Sequence, residues 1–415
     1  MRRSAHSNAG PRDGAGRGAA GWSAWSANRR PRTATVCAAT GLALAILTVA
    51  APVHAGQALT HEQKGWARVI TGTAPAAARL RINAHGSVTL DAGNSKELSY
   101  SVKVTVDTRS EAEARRVLAR YMVRVEKQGL WSVMTVPGGA AVSSVSVKAP
   151  RLAVVVISTS DGAVQANGVD GPLDVDSGAG GLSVDRIAGE CKLVTGGGGI
   201  QVGRVGGPLR CSTGAGHITV KSVLGEAVLE TQGGDIVAGE VRGPLRAETG
   251  GGDVRIGTAG GPVTATSGGG EIIVEKANGV VTVRNMAGPV QVRSAAGVRC
   301  DSGSGGIRVS NIWGPMRVST SMGSIMANLL GSRLTDSYLA TGNGDITVLI
   351  PSNVGVTIQA QNSMADTLRR IVSDYREIQA RRQGQRVVAE GRINGGGPLL
   401  QISGMGGTIF IKRQQ

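Results

Sequence analysis

The sequence predicts an all-β chain built as a β-solenoid, a single-stranded parallel β-helix of about ten coils of 17–18 residues, with small α elements near both ends. Three observations predict it. An eighteen-residue pattern, GPLRAETGGGDVRIGTAG at 243–260, recurs in register, with units opening at Gly171, Gly189, Gly207, Gly225, Gly243, Gly261 and Gly279 and no insertion between them. Inside each unit apolar and polar residues alternate. Leu245, Ala247 and Thr249 take one parity and Arg246 and Glu248 the other, after which Val254 and Ile256 oppose Asp253 and Arg255. The composition agrees: 64 of 415 residues are Gly and only 2% are aromatic, which suits a turn-rich stack with a narrow core. A short fixed period marks units that bury their apolar side only by stacking on neighbours. Period-two alternation bounded by Gly and Pro marks two short half-buried strands per unit.

At the N-terminus, residues 1–32 are rich in Gly, Ala, Ser and Arg and lack periodicity. Residues 33–51 are an unbroken apolar run, preceded by Arg29, Arg30 and Arg32 and followed by Val53-His54-Ala55. This is the pattern of a secretory signal peptide cleaved after Ala55, and its length also fits an uncleaved membrane anchor. The chain is expected in the periplasm or at the cell surface, touching membrane only through 33–51. Residues 56–150 read as a less regular, β-rich capping module. In it 78–91 and 97–106 alternate like strands, and 110–120 (SEAEARRVLAR) carries an N-cap, early acids and later bases that predict a short helix closing the open first coil.

The solenoid proper occupies 151–350. Beyond Gly279 two seventeen-residue units are expected from Gly297 and Gly314, then an irregular one from Gly331. The remainder, 351–415, is a terminal coil and cap. Met364, Leu368, Ile371, Tyr375 and Ile378 recur at spacings of three and four, which predicts an amphipathic helix over 364–382 or a long excursion, either capping the stack or lying on a membrane surface.

The formal net charge is +16, and removal of 1–55, with seven Arg and one Asp, leaves +10, a balance that favours anionic surfaces. Calcium β-rolls place a carboxylate at the same turn of every coil. Here the residue before the second strand is Gly181, Gly199, His217, Asp235, Asp253, Glu271 and Pro289 in successive units, so at most one site near Asp235, Asp253 and Glu271 survives, and a solvent-facing row diluted by Arg255 and Lys276 is the simpler reading. Glycine strings such as TGGGGIQVGRVG open no helix, as phosphate binding requires. The serines of DSGAG and DSGSG lack a partnered His, since His217 is the only His inside the regular units. The scarcity of aromatics removes stacking platforms for single-stranded nucleic acid. No catalytic residue, cofactor ligand or metal ligand is assigned, and no nucleic-acid partner is expected. Cys191 takes the Leu173 position, and Cys211 and Cys300 take the Val175 position, so three buried free thiols are expected, too far out of step to pair.

The chain resembles the DUF4097 family, bacterial envelope proteins with β-strand repeats described as adhesins. The resemblance covers 151–412 and rests on ISTSDGAVQANGV at 157–169, the repeated T-x-G-G-x-[IV] core as in TGGGDV, and the terminal GRINGGGPLLQISGMGGTIFIK. It implies an exported β-solenoid with no catalytic residues to carry over. The expected function is a non-catalytic envelope scaffold or adhesin-like binding module that meets an envelope or surface ligand, protein or polysaccharide, through a flat, weakly basic sheet face. A periplasmic stress or signalling accessory and a polysaccharide-processing β-helix enzyme are the alternatives.

Overall fold

The computed structural model describes residues 59–62, 65–75, 77–93, 95–330, 334–363 and 370–414, all within one compact unit, Val49–Gln415. The leader and its apolar run at 33–51 lie outside the described residues. No helix among the described residues is long and apolar enough to cross a membrane.

Alternation in the sequence becomes alternation between core and solvent. Eleven consecutive coils run from Val154 to Ile350, each of two short strands. First strands stack in parallel at eighteen-residue intervals, through the aligned positions Leu173, Cys191, Leu209, Ala227, Leu245 and Val263. Second strands do the same through Leu182, Ile200, Ile218, Ile236, Val254 and Ile272. The inward residues of both stacks form a single hydrophobic cluster that runs the length of the solenoid. Parallel strands buried against a second sheet need only small and medium aliphatics to fill a thin core, and Val, Leu, Ile and Ala supply nearly all of it.

The corner after each first strand explains the T-x-G-G motif. Thr249 is buried, and its Oγ1 accepts from Gly252 N–H at 3.1 Å while donating to the carbonyl of Gly234, one coil back, at 2.8 Å. Thr195, Thr213, Thr231 and Ser267 repeat this pair of bonds, and Ser177 begins it with Gly162 and Gly180 at 3.1 Å each. Every such hydroxyl closes its own turn and ties it to the preceding one. Turns stacked this closely leave no room for a side chain: a Cβ on Gly252 would lie 2.2 Å from the Gly234 oxygen.

Departures from the period are confined to the coils between Ala277 and Ile346. Ala277 pairs with Ala295, eighteen residues on, whereas Val280 pairs with Gly297 and Val281 with Val298, seventeen on. One residue is therefore dropped at a corner, in a strand, Ile272–Asn285, that runs through that corner unbroken. The next first-strand step, Val298 to Met316, is eighteen again, and so is Ile307 to Ile325, but a second residue is dropped between Ser310 and Ile312. Ala295 pairs with Ile312 and Ile312 with Leu329, seventeen apart each, so the two seventeen-residue spacings expected from Gly297 and Gly314 are present two residues before those glycines. The step after that is twenty-one, Arg317 to Tyr338 and Ile325 to Ile346.

Both ends of the stack depart from chain order. Strands Arg79–Ala84 and Gly86–Ala92 form a coil held between Val154–Val169 on one side and Trp131–Thr135 with Val142–Ala149 on the other. At the far end Leu399–Gly404 and Ile409–Arg413 lie between Ser337–Ile350 and the strands Val356–Asn362 and Ile371–Ser373. Antiparallel strands then cover the outer coils. Leu98–Val106 and Gly65–Ala74 extend one sheet, Arg124–Gln128 the other, and Arg386–Ile393 with Gln379–Gln383 close the C-terminal end. The predicted N-terminal helix is Glu111–Ala119, with Ser110 Oγ accepting from Glu113 N–H at 3.4 Å and Glu111 paired with Arg115 at 2.6 Å. Its buried Ala114 and Leu118 join the core beside Leu98–Val106.

The second α element is overturned where it is described. Residues 371–373 and 379–383 are strands, and the Glu111–Ala119 helix is the one α-helix among the described residues, while 364–369, with Met364 and Leu368, lie outside them. Ile371, Tyr375 and Ile378 are buried as the periodicity implied, but Ile371 reaches the core by pairing with Ile409, and Tyr375 comes in from a turn, its hydroxyl donating to the Ile350 carbonyl at 3.0 Å. Pairing with the Ile409–Arg413 strand overrides a local helical spacing.

Candidate binding face

The four ladder residues flagged in the sequence do come together. His217 Nδ1 accepts from Asp235 N–H at 3.0 Å, Asp235 Oδ1 from Asp253 N–H at 2.9 Å, and Asp253 Oδ1 from Glu271 N–H at 2.8 Å. His217, Asp235 and Asp253 thus each satisfy the amide of the equivalent residue one coil on, and the row ends at Glu271, whose successor Pro289 has no amide proton. Because His217 Nδ1 is an acceptor, the 3.4 Å approach of Asp235 Oδ2 to it is a near contact rather than an ion pair. Arg255 stands 2.8 Å from Asp253 and 3.7 Å from Glu271, so cation and amides neutralise the row. Among the described residues no group of three or more His, Cys, Asp or Glu converges as a metal site.

The flagged serines are equally committed. Ser177 is buried and bonded to Gly162 and Gly180, and Ser302 donates to the Ser304 carbonyl at 3.3 Å. The three thiols at Cys191, Cys211 and Cys300 are free and buried at the expected positions. Burial pushes Cys191 and Cys300 up to about 12, with Asp174 and Asp301 respectively adding to the rise, and raises Cys211 well above its ordinary value.

What remains exposed is the outer surface of the two sheets, and its charge is sorted along the axis. From 153 to 350 there are 15 Lys and Arg against 17 Asp and Glu, so the basic excess of the chain comes from the end segments and not from the coils as a whole. Residues 153–190 hold one Arg and six acids, whereas 276–317 hold six bases and one acid, Asp301. The face expected to be weakly basic is instead graded, acidic toward one end and basic toward the other.

In the central coils Lys192 lies 4.0 Å from Asp174 and Arg246 2.7 Å from Glu248, while Arg204, Arg210 and Lys221 have no carboxylate partner among the described residues. In the basic coils Arg284, Arg308 and Arg317 have no carboxylate partner among the described residues. Arg299, Arg317, Tyr338 and Gln401 occupy one outward row in four stacked coils. Arg299 has only Asp301, at 4.0 Å, and that carboxylate also accepts from Ser319 Oγ at 2.6 Å. The Arg317 guanidinium lies 5.4 Å from the Tyr338 ring centre. Beside this row the surface is concave. A groove of about 350 Å³ is lined by Arg299, Arg317 and Tyr338 and by Val280, Val298 and Met316. It sits between the seventeen-residue and twenty-one-residue steps, where successive corners no longer superpose. The sequence held a signal for it in those two broken steps, which flank the site; insertions and deletions in a repeat array collect where the surface departs from regularity.

No family model matches the chain, and no curated protein matches it. Among solved structures, a protein designated an adhesin from Bacteroides fragilis is 12% identical, covering 68% of this chain and 96% of its own, with a TM-score of 0.29. Another from Parabacteroides distasonis is 12% identical, covering 66% and 97%, with a TM-score of 0.27, and one from Parabacteroides merdae is 14% identical, covering 68% and 95%, with a TM-score of 0.26. Likeness at this level carries no functional assignment.

Proposed function

We propose that this chain is an exported, non-catalytic β-solenoid of the DUF4097 kind that acts in the cell envelope as an adhesin-like binding module, its mature form beginning at Gly56. The observation that carries the reading is the use to which the chemically capable side chains are put. The repeat serines and threonines pin turns, the one histidine in the regular coils and the aspartates beside it cap backbone amides, and the thiols are buried, while the freely exposed chemistry is a long sheet face with charge graded along it. Such a surface suits attachment through many weak contacts, electrostatic in character and salt-sensitive.

Co-sedimentation of the full chain with purified envelope material tests the reading. Saturable binding that weakens with salt is expected, with no shortening of the polysaccharide recovered. Absence of binding, or depolymerisation of the polysaccharide, overturns it. N-terminal sequencing of the chain recovered from cells tests export separately, with Gly56 expected as the first residue and retention of 33–51 establishing the anchor instead.

A further inference from the structure

We infer that the groove beside Arg299, Arg317 and Tyr338 binds a carboxylate-bearing sugar chain, a polyuronate, laid along the solenoid axis. This rests on the binding reading above and names a ligand class for it.

The first argument is electrostatic. Arg299 and Arg317 are direct neighbours in a parallel ladder, with backbones about 4.8 Å apart. Like charges stacked so closely destabilise a sheet unless an anion lies between or over them. In the same outward row the chain sets Glu248 2.7 Å from Arg246 and Asp174 4.0 Å from Lys192, while Arg210, stacked on Lys192, has no carboxylate among the described residues. At Arg317 the chain likewise provides none, and the exposed guanidinium keeps its fork of donors free for a carboxylate.

The second argument is register. Same-side groups of an extended acidic peptide recur at about 6.7 Å, out of register with coils about 4.8 Å apart. A polypeptide strand therefore does not set successive same-side carboxylates over Arg299 and Arg317, whereas a sugar chain can turn about its glycosidic bonds to bring one carboxylate to each.

A third argument concerns the rest of the lining. Asp336 also faces the groove, with Oδ1 accepting from Leu399 N–H at 2.8 Å and its second oxygen open. A bare polyanion is repelled by that oxygen, while a sugar hydroxyl can donate to it. Gln401, next in the row after Tyr338, offers both a donor and an acceptor to ring hydroxyls. Val280, 45% exposed, gives the apolar CH face of a pyranose ring a dry contact. One face of Tyr338 is already occupied by Arg317, so ring stacking on the aromatic is not the anchor.

Calorimetric titration of the full chain with an oligogalacturonate, its carboxyl-reduced counterpart and polyglutamate decides the matter. The oligogalacturonate is expected to bind with an affinity that falls as salt rises, and the other two to bind at least about tenfold more weakly, the loss of one charge-assisted contact. Arg299→Ala and Arg317→Ala are each expected to weaken the oligogalacturonate about tenfold on the same grounds, with the circular dichroism of the wild type, and Arg246→Ala to change nothing. Equal binding of the reduced oligomer, equal binding of polyglutamate, or wild-type affinity in the double variant R299A/R317A would each overturn the inference. No binding of the oligogalacturonate by a chain that still sediments with envelope material overturns the inference and leaves the broader reading standing.

Discussion

Replacing Thr249 by Val removes one oxygen from the interior of the solenoid and keeps the shape around it. Thr249 is 5% exposed, its Oγ1 donates to Gly234 O at 2.8 Å, and it accepts from Gly252 N–H at 3.1 Å and Gly251 N–H at 3.4 Å. The valine leaves the amide of Gly252 and the carbonyl of Gly234 facing a methyl group in a corner too tight to admit water, since a Cβ at Gly252 would already meet the coil below at 2.2 Å. An orphaned buried polar group costs about 1–3 kcal/mol, and with two groups only partly compensated the expected destabilisation is about 2–4 kcal/mol. Thr249→Ser keeps both bonds and gives up one methyl, so it should cost about 1 kcal/mol. Urea unfolding followed by circular dichroism measures the total. Hydrogen exchange at Gly252 and Gly234 reports the local effect, which is needed because a repeat array that couples only neighbours does not always unfold in one step. If T249V and T249S unfolded at the same urea concentration and Gly252 exchanged equally slowly in both, the hydroxyl ladder would not be what joins one coil to the next.

Three further outcomes follow from the same geometry. Deleting 243–260 should leave a folded, shorter solenoid, because Val263 then stacks on Ala227, Ser267 Oγ reaches Gly234 O and Asp235 caps the amide of Glu271; loss of the β circular dichroism in this deletion would refute the register. Cys191, Cys211 and Cys300 should resist thiol reagents in the native state and give no intramolecular disulfide on mass spectrometry of unreduced protein. Their raised thiol pKa values stabilise the fold fully below the ordinary value of 9.0, and that contribution should be lost as pH climbs toward about 12, so the melting temperature should fall across this window and a Cys→Ala triple variant should fall less steeply. Ser110→Ala removes the N-cap of the one described helix and should cost about 1 kcal/mol, with Ser110→Asp near wild type by thermal melting.

The regular part of this architecture was readable because its information is local. Gly, Pro and alternating residues fix strand, turn and strand within eighteen positions, and Leu173, Cys191, Leu209 and their successors then align with no knowledge of the rest of the chain. Even the thiol register followed from counting. The two seventeen-residue spacings counted from Gly297 and Gly314 hold just before the corner, from Ala295 to Ile312 to Leu329, while the strand after it steps by seventeen and then eighteen, Val281 to Val298 to Met316, which a count of glycines does not show. The helix expected over 364–382 failed for a reason no local window contains: Ile371 finds Ile409 across 38 positions of sequence. The binding groove was harder still, since Arg299, Arg317 and Tyr338 become a row only once the seventeen- and twenty-one-residue steps are threaded correctly, and the grading of charge becomes a surface property only when the coils are stacked.

The placing of the C-terminal coil sets a condition on how the molecule is made. Leu399–Arg413 follows both Ser337–Ile350 and Val356–Asn362 in the chain yet lies between them, so the chain cannot close that end by simple addition of coils in the order they emerge. Until Leu399–Arg413 is in place, Ser337–Ile350 and Val356–Asn362 face each other across a slot one strand wide, each with unsatisfied backbone groups. The segment that fills it reads GPLLQIS, a close variant of the GPLRAET that opens an ordinary coil. Where copies are crowded, the same slot is open to the equivalent segment of a neighbouring molecule, and the outcome of that competition, monomer or exchanged dimer, is decided by how quickly a chain's own segment arrives.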